Sequence, residues 1–307
     1  MLTAKTLMGN WGTLLLPVNQ DNSIDYLRLE EEISLLIKAK VDGIYSNGTS
    51  GEFYNQTENE FDKINYLLAE KCHLHKTPFQ IGVSHPSPII SIERLKRSAA
   101  MHPDAFQLIL PDWVVVNKKE RFIFLEKMAE ASKGIPLVLY NPPHAKLVLH
   151  PSDFAELSSL FPQLIGLKVA PAGDDWYAKM RDYASGLAVF VPGHWLATGF
   201  KERVASGAYS NVACLSPKGA QWWWQLMQND LEASLEIEGR IHQFFSTCIE
   251  PFARMGYSNL ALDKLLAAVG DWAPIGTRLR WPYDWIPEGE ISAAKKIARQ
   301  ILPEFFI

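Results

Sequence analysis

The sequence predicts an α/β fold, a (β/α)8 TIM barrel with a C-terminal helical extension. Short apolar runs rich in β-forming residues alternate eight times with amphipathic helical segments within residues 1–230. Eight such units match the usual length of a closed barrel, and no Gly-x-Gly-x-x-Gly turn follows the first strand, as a dinucleotide-binding open sheet would require. No linker rich in Pro, Gly or Ser marks a second domain, so we expect residues 231–307 to form helices that pack on the barrel.

The eight units follow one another along the chain. In the first half, WGTLLLP precedes YLRLEEEISLLIKAK, DGIYSN precedes ENEFDKINYLLAEKCHL, PFQIGVS precedes PIISIERLKRSAAM, and DAFQLIL precedes KKERFIFLEKMAEAS. In the second half, IPLVLYN precedes PSDFAELSSLF, LIGLKVA precedes DDWYAKMRDYA, LAVFVP precedes WLATGFKERVA, and AYSNVACL precedes KGAQWWWQLMQ. Thr57 with Glu60, and Asn117 with Glu120, predict N-caps with a reciprocating carboxylate. LEASLEIEGRIHQFFSTCIEPFARM and ALDKLLAAVG have helical periods in the extension.

Composition excludes several classes of protein. The chain has 307 residues, of which 48% are hydrophobic and 21% charged, as is typical of a soluble globular protein. The net charge is −4 and no basic run is present, so nucleic acid is not an expected partner. No apolar run reaches the roughly 20 residues that span a bilayer, and the first residues lack the apolar core of a signal peptide, which predicts a cytoplasmic protein without membrane contact. Cys72, Cys214 and Cys248 are widely spaced, which predicts buried free thiols.

Lys168, in the sixth predicted strand, is the first candidate for chemistry, because catalytic groups of such barrels lie at the carboxyl ends of strands. Alternation places Ile165, Leu167 and Val169 towards the helices and Lys168 inside the barrel. Burial should lower the pKa of this lysine, and a neutral amine is the nucleophile that forms a Schiff base with a carbonyl substrate. The alternative is a lysine that reaches the rim or meets a structural carboxylate.

Two further segments end on the same side of the barrel. Tyr140 closes the fifth strand, next to the sixth, and its phenol can pass protons to and from a carbinolamine, unless it is simply a packed aromatic residue. GIYSNGTSGEF follows the second strand, and its Gly48, Thr49 and Ser50 offer N–H groups and hydroxyls that can hold a carboxylate. The alternative for this loop is an ordinary βα turn whose hydroxyls bond to their own backbone.

The motifs NGTSGEF at 47–53, YNPP at 140–143 and GLKVA at 166–170 resemble, in order and spacing, the dihydrodipicolinate synthase and N-acetylneuraminate lyase family. The resemblance covers the barrel and continues more loosely into the extension. It implies a homo-oligomer, a tetramer or dimer, with class I lyase chemistry on a 2-oxo acid such as pyruvate and with no metal or organic cofactor. It also implies that Lys168 forms the Schiff base and that Tyr140 transfers protons, with Thr49 as a relay. The resemblance further implies that Thr49 and Ser50 bind the pyruvyl carboxylate.

Departures from the family pattern concern the second substrate. The synthase branch has a tyrosine where this chain has Trp113, whose indole can only donate a hydrogen bond, and an arginine for a second carboxylate where this chain has His144-Ala145-Lys146. The lyase branch holds sugar hydroxyls with acidic residues where this chain has Gly193-His194-Trp195-Leu196, and the strand-eight signature is degraded to Tyr209-Ser210-Asn211-Val212-Ala213. We therefore expect Trp113, Trp195, His144 and His194 to line a pocket for a less hydroxylated, aromatic or acidic acceptor.

Other functions remain open at this point. The chain could be a true 4-hydroxy-tetrahydrodipicolinate synthase or N-acetylneuraminate lyase, or a non-catalytic paralogue that binds a 2-oxo acid, although carboxylate recognition alone would not need Lys168. A metal-dependent aldolase is disfavoured because His73 and His75 point in different directions on a predicted helix. A phosphate-binding barrel is disfavoured because no Gly-rich loop follows strands seven or eight.

Overall fold

The computed structural model describes residues 2–306, and its centre is a closed barrel of eight parallel strands. Each strand pairs with the next along the chain, and the last pairs with the first. The strands are β1 (Gly9–Thr13), β2 (Gly43–Ser46), β3 (Phe79–Gly82), β4 (Ala105–Leu108), β5 (Leu137–Tyr140), β6 (Leu164–Lys168), β7 (Ala188–Val191) and β8 (Ala205–Tyr209). The predicted (β/α)8 barrel is therefore confirmed.

Helices follow every strand and continue beyond the barrel. The first seven are α1 (Tyr26–Lys38), α2 (Glu58–His75), α3 (Pro88–Ser98), α4 (Lys118–Ala131), α5 (Pro151–Leu160), α6 (Trp176–Tyr183) and α7 (Leu196–Lys201). The later ones are α8 (Asn211–Leu215), α9 (Pro217–Met227), α10 (Leu231–Cys248), α11 (Glu250–Arg254), α12 (Asn259–Gly270) and α13 (Ile291–Ile301). Both predicted capping boxes are present, at Thr57 before α2 and at Asn117 before α4. Throughout residues 2–306, each helix is too short or too polar to cross a bilayer.

The eighth strand lies earlier in the chain than the sequence predicts. The segment AYSNVACL was expected to form it, but β8 ends at Tyr209 and Asn211–Leu215 forms the helix α8. The Ser210 side chain accepts a hydrogen bond from the Ala213 N–H and so caps this helix. A short apolar run does not distinguish a buried strand from a buried helix by periodicity, which explains the wrong prediction.

The barrel interior is filled by a cluster of buried side chains that is separate from the packing between barrel and helices. This cluster consists of Leu7, Trp11, Tyr45, Ala105, Val138, Ala188, Phe190 and Tyr209. Ile165 packs against the interior cluster, whereas the sequence alternation had placed it on the outer face with Leu167. The register between β5 and β6 shifts at this point, so that Leu137 pairs with Leu164 but Val138 pairs with Gly166. This bulge changes which residues of β6 face the barrel interior. Beyond the bulge the pairing is regular, and Tyr140 pairs with Lys168.

The C-terminal helices reach the carboxyl end of the barrel. α10 packs against α7 and α13, and α12 packs against α8 and against the turn Thr49–Gly51 that follows β2. The three cysteines are buried and unpaired, as predicted. Because α12 touches the β2 loop directly, residues of the extension are brought to the same place as the strand ends.

Candidate active site

A cavity of about 420 Å³ lies at the carboxyl ends of the strands. Its floor is formed by Lys168, Tyr140, Tyr45 and Ser50, together with Asp263 from α12. Its outer part is formed by aromatic and imidazole side chains from the β7 loop and α10. The position agrees with that of active sites in (β/α)8 barrels in general.

Lys168 lies among three tyrosine rings at the floor of the cavity. Its Nζ donates a hydrogen bond to the Tyr45 hydroxyl at 3.0 Å and lies 4.2 Å from the centre of the Tyr140 ring and 5.5 Å from that of Tyr209. Burial lowers the pKa of Lys168 to about 8, although the nearby Asp263 opposes the shift. About a tenth of a lysine with this pKa is the neutral amine at pH 7, against well under a thousandth for an ordinary lysine. The structure therefore provides a usable nucleophile.

Tyr45 positions the amine and was not identified as a site residue from the sequence. Thr13, its neighbour on β1, donates a hydrogen bond of 2.8 Å to the Tyr45 hydroxyl. Burial raises the pKa of Tyr45 well above its usual value, so the phenol is protonated at neutral pH. The alternation of side chains along β2 places Gly43 and Tyr45 on one face and Ile44 on the other. This pattern could have predicted that Tyr45 faces the barrel interior.

Tyr140 stands directly beside the lysine because the two residues are register partners on β5 and β6. Burial raises the pKa of the Tyr140 phenol, while the hydroxyl of Thr49 opposes that shift. Tyr140 is consequently a protonated phenol next to a partly neutral amine. Such a group can give a proton to an oxygen bound near the amine and take it back.

The loop after β2 presents the predicted hydroxyls as a short 3₁₀ turn at Thr49–Gly51. Within residues 2–306, the backbone N–H groups of Thr49 and Ser50 donate no hydrogen bond. Gly48 does not line the cavity; a Cβ at this position would lie 2.6 Å from a ring carbon of Tyr45, so the glycine allows the loop to pack against that ring. The loop thus keeps two free N–H groups next to two hydroxyls, which suits an anion.

A buried ion pair holds the end of this loop. Glu52 adopts a left-handed backbone conformation with φ of +51°. Its carboxylate accepts a hydrogen bond of 3.1 Å from Lys264 of α12, and neither side chain is exposed to solvent. The Lys264 ammonium also donates to the carbonyl oxygens of Leu16 at 2.7 Å and Arg278 at 2.6 Å. The position of the loop therefore depends on the extension.

Asp263 is the second residue that sequence reasoning missed. The Ser50 hydroxyl forms a hydrogen bond with its carboxylate, which also interacts electrostatically with Lys168. Burial raises the pKa of Asp263 to about 6, against the opposing effects of Ser50 and Lys168. No sequence motif identifies Asp263 as a site residue, because it lies in the site only as a result of the packing of α12 against the barrel.

The outer part of the cavity is aromatic. The ring centre of His194 lies 5.6 Å from that of His242 and 5.2 Å from that of Phe245, and Trp195 lies 4.5 Å from His242. The Asn211 side-chain amide is 2.8 Å from Nδ1 of His194. Burial lowers the pKa of His194 to about 4, so its imidazole is neutral at physiological pH. His242, on α10, was also absent from the sequence-derived set.

The remaining predicted residues divide between the cavity and the surface. His144 lines the cavity at its exposed rim. Trp113 does not reach the cavity: its side chain is 80% exposed, and the sequence-derived expectation that it lines the pocket is not met in the single chain. Lys146 is also directed away, because its Nζ donates to the Trp113 carbonyl oxygen at 3.0 Å and lies over the indole. Among residues 2–306, Lys168 is the only lysine or arginine in the cavity lining.

Comparison with known proteins adds family and fold. Residues 6–248 match the Dihydrodipicolinate synthetase family. The chain is 24% identical over 214 residues to the 4-hydroxy-tetrahydrodipicolinate synthase of Staphylococcus epidermidis, covering 69% of this chain and 72% of that protein. Its structure resembles YagE, a prophage protein of the dihydrodipicolinic acid synthase family from E. coli K12 in complex with pyruvate (TM-score 0.83, 19% identity, 96% and 98% coverage). It also resembles N-acetylneuraminate lyase from Fusobacterium nucleatum (TM-score 0.82, 19% identity, 97% and 99% coverage).

Proposed function

The chain belongs to the dihydrodipicolinate synthetase family, and from this premise we propose that it is a class I lyase (aldolase) that forms a Schiff base between Lys168 and a 2-oxo acid. The 2-oxo acid is pyruvate or a substrate that releases pyruvate, and the enzyme makes or cleaves the adjacent carbon–carbon bond. The observation that carries the proposal is an amine with a pKa of about 8 at the floor of a strand-end cavity, in contact with the Tyr45 and Tyr140 side chains.

The proposed reaction uses only side chains. The neutral amine of Lys168 attacks the keto carbon, and the carbinolamine loses water after Tyr140 protonates its hydroxyl. The iminium accepts the electron pair of the C3–C4 bond while the Tyr140 phenolate removes the proton of the C4 hydroxyl, so that an aldehyde leaves and an enamine remains. Protonation of the enamine at C3 and hydrolysis of the iminium then release pyruvate and the free amine. The reverse sequence is an aldol addition.

The carboxylate of the 2-oxo acid is proposed to bind at the β2 loop. The N–H groups of Thr49 and Ser50 have no partner among residues 2–306, and the loop lies next to Tyr140. A carboxylate held there places the neighbouring keto carbon towards Lys168, as attack by the amine requires. Fixing the two reactants in this way supplies much of the rate gain expected from an enclosed site.

The second substrate is proposed to be an aldehyde without a carboxylate, with an aromatic or apolar body. A second buried carboxylate would need a partner of its own, best an arginine, and the described cavity lining contains no lysine or arginine apart from Lys168. Rings of His194, Trp195 and Phe245 fit a flat or apolar group. Nδ1 of His194 accepts from the Asn211 amide when the imidazole is neutral, which leaves Nε2–H as a donor for a substrate oxygen. These features disfavour the acidic acceptor that the sequence left open, and the dicarboxylate product of a synthase.

A homo-oligomer is part of the proposal. Trp113, Val114 and Val115 form a contiguous apolar stretch, 80%, 76% and 47% exposed, on the surface beside the cavity loops. Exposed apolar patches of this kind mark interaction surfaces. Light scattering of the purified protein should give the mass of a dimer or tetramer, and Trp113→Asp should shift it towards the monomer.

Reductive trapping tests the nucleophile. Incubation with pyruvate and borohydride should add one reduced pyruvyl group to the peptide that contains Lys168, as read by mass spectrometry. Lys168→Ala should lose both the adduct and turnover, whereas Lys146→Ala, which removes a lysine outside the cavity, should keep both. An adduct on another lysine, or an active enzyme with no adduct, would contradict the proposal.

A second assay separates an enzyme from a non-catalytic 2-oxo-acid-binding protein. A panel of 4-hydroxy-2-oxo acids with aromatic, apolar, polyhydroxylated and carboxylated aldehyde portions is supplied, and released pyruvate is measured with lactate dehydrogenase. We expect release from the aromatic and apolar members. Adduct formation without release from any member would favour the binding protein.

A further inference from the structure

The proposed carboxylate site already contains a carboxylate. Asp263 reaches from α12 to the β2 loop and bonds to the hydroxyl of Ser50, one of the two hydroxyl residues beside the free N–H groups. A 2-oxo acid bound at those N–H groups would place a second carboxylate against the same hydroxyl. Two like charges in one enclosed site disfavour each other, so either the acid binds poorly or one charge is removed.

The hydroxyl of Ser50 decides which outcome is chemically consistent. A serine hydroxyl has a single proton to donate. When Asp263 is ionised, Ser50 donates that proton to Asp263 and presents only lone pairs to a substrate carboxylate. When Asp263 is protonated, its own O–H can donate to Ser50 Oγ, and the serine proton becomes free for the substrate carboxylate. Protonation of Asp263 therefore allows the Ser50 hydroxyl to donate a hydrogen bond to the substrate carboxylate, which it cannot do while it donates to an ionised Asp263.

We propose that Asp263 couples binding of the substrate carboxylate to the uptake of one proton, which it holds while the carboxylate lies against Ser50. This inference rests on the proposed function, since it assumes a 2-oxo acid at the β2 loop. It makes Asp263 a residue that sets affinity for the 2-oxo acid as a function of pH.

The other groups that face Asp263 do not supply this proton change. Tyr45 on β2, Tyr140 on β5 and Cys214 on α8 each have a pKa raised by burial, so they are neutral before and after binding. Lys168 on β6 is mostly an ammonium at neutral pH, and the iminium that replaces it carries the same charge, with water leaving and no net proton released. On α12 itself, the Lys264 ammonium donates a hydrogen bond to the Glu52 carboxylate.

The direction of the pH dependence follows. The pKa of Asp263 in the free protein is raised to about 6, so below that pH the acid is already protonated and binding takes up no proton. Above it, each bound carboxylate brings one proton, and the dissociation constant for pyruvate should rise about tenfold per pH unit. From pH 6 to 7.5 Lys168 stays below its own pKa of about 8 and is mostly an ammonium, so Asp263 accounts for most of the proton uptake in the wild type.

Calorimetric titration with pyruvate tests the coupling. Titrations at pH 7 in two buffers of different ionisation enthalpy count the protons taken up, and the wild-type protein should take up close to one. Asp263→Asn keeps the shape, and its amide can donate to Ser50 Oγ as the protonated acid does. Loss of the Asp263 charge lowers the pKa of Lys168, so this variant should take up only the fraction of a proton that the neutral amine acquires as it becomes the iminium, and its affinity for pyruvate should change much less than that of the wild type from pH 6 to 7.5. Asp182→Asn, at an exposed position on α6, should behave like the wild type.

The outcomes separate this inference from the proposed function. Proton uptake without a borohydride adduct would leave the coupling standing and remove the Schiff base. An adduct on Lys168 with no proton uptake by the wild type, or with equal pH slopes for the wild type and Asp263→Asn, would overturn the coupling and leave the aldolase assignment. Absence of any pyruvate binding from pH 5.5 to 7.5 would overturn both. The proton count on the wild type needs no variant, so a misfolded Asp263→Asn does not prevent the decision.

Discussion

Replacing Tyr45 by phenylalanine should make Lys168 a better nucleophile at low pH. The Tyr45 hydroxyl accepts a hydrogen bond of 3.0 Å from the Lys168 ammonium and is the only hydrogen-bond partner of Nζ among residues 2–306. A hydrogen bond to a charged group contributes about 1.5–3 kcal/mol, and one between neutral groups about 1 kcal/mol. Losing the phenol therefore destabilises the ammonium more than the amine by about 1 kcal/mol.

This difference can be converted into a pH profile. One pKa unit corresponds to about 1.4 kcal/mol, so the pKa of Lys168 should fall from about 8 by somewhat less than one unit in Tyr45→Phe. At pH 7 the fraction of neutral amine should rise by about three- to fivefold. The assay is the initial rate of reductive trapping of pyruvate with cyanoborohydride from pH 6 to 9, from which the midpoint of the acidic limb is read.

Tyr209→Phe is the matched control. Its ring also lies near Nζ, at 5.5 Å, but its hydroxyl donates to Gln80 at 2.7 Å and not to the lysine. The midpoint of this control should stay at the wild-type value. If Tyr45→Phe left the midpoint unchanged or moved it to higher pH, the Tyr45 hydroxyl would not be what stabilises the ammonium, and the reasoning about the lysine environment would fail.

Three further results are expected. Tyr140→Phe should fold normally and lower the rate of pyruvate release by about 10²–10⁴-fold, the usual contribution of a positioned acid–base group, and a loss of only a few-fold would return Tyr140 to a packing role. Condensation of pyruvate with aspartate semialdehyde should give little product in a coupled reductase assay, because Ala145 stands where the synthase branch has its arginine; turnover at about 1–10³ per second would restore the synthase assignment. Lys264→Met should lower the free energy of unfolding in urea by about 3–5 kcal/mol by leaving Glu52 buried and unpaired, whereas Lys295→Met, at a surface pair, should change it by about 1 kcal/mol or less, and equal effects would contradict a structural role for the buried pair.

The parts of the site that lie on strands could be predicted because strand periodicity is local. Lys168 and Tyr140 each close a strand with a readable alternation, and the paired register of β5 and β6 brings them together. The orientation of Ile165 was nevertheless predicted wrongly, because the bulge reverses the alternation there. A bulge depends on how two strands pair, which the sequence of one strand does not show. The displacement of strand eight has the same origin, since Ser210 caps a helix in a segment whose apolar run fits either structure.

The parts of the site contributed by the extension could not be predicted. Asp263 and His242 lie on helices whose sequence patterns indicate a buried face but not the element that this face meets. Their arrival at the cavity depends on how α10 and α12 pack against the barrel, which is a property of the whole chain. Trp113 was expected to line the pocket by analogy with relatives, but its side chain lies on the surface of the single chain.

Two adjacent residues of α12 form hydrogen bonds with the β2 loop: Asp263 with Ser50, and Lys264 with Glu52. For protein engineering, this means that the loop and the helix form one exchangeable cassette, although more than two hundred residues separate them in the chain. A grafted loop without Ser50 and Glu52 would leave the Lys264 ammonium buried without its carboxylate and Asp263 without its hydroxyl partner. Recombination libraries that separate these segments should therefore yield mostly insoluble chimaeras, and those that move both together should yield mostly soluble ones.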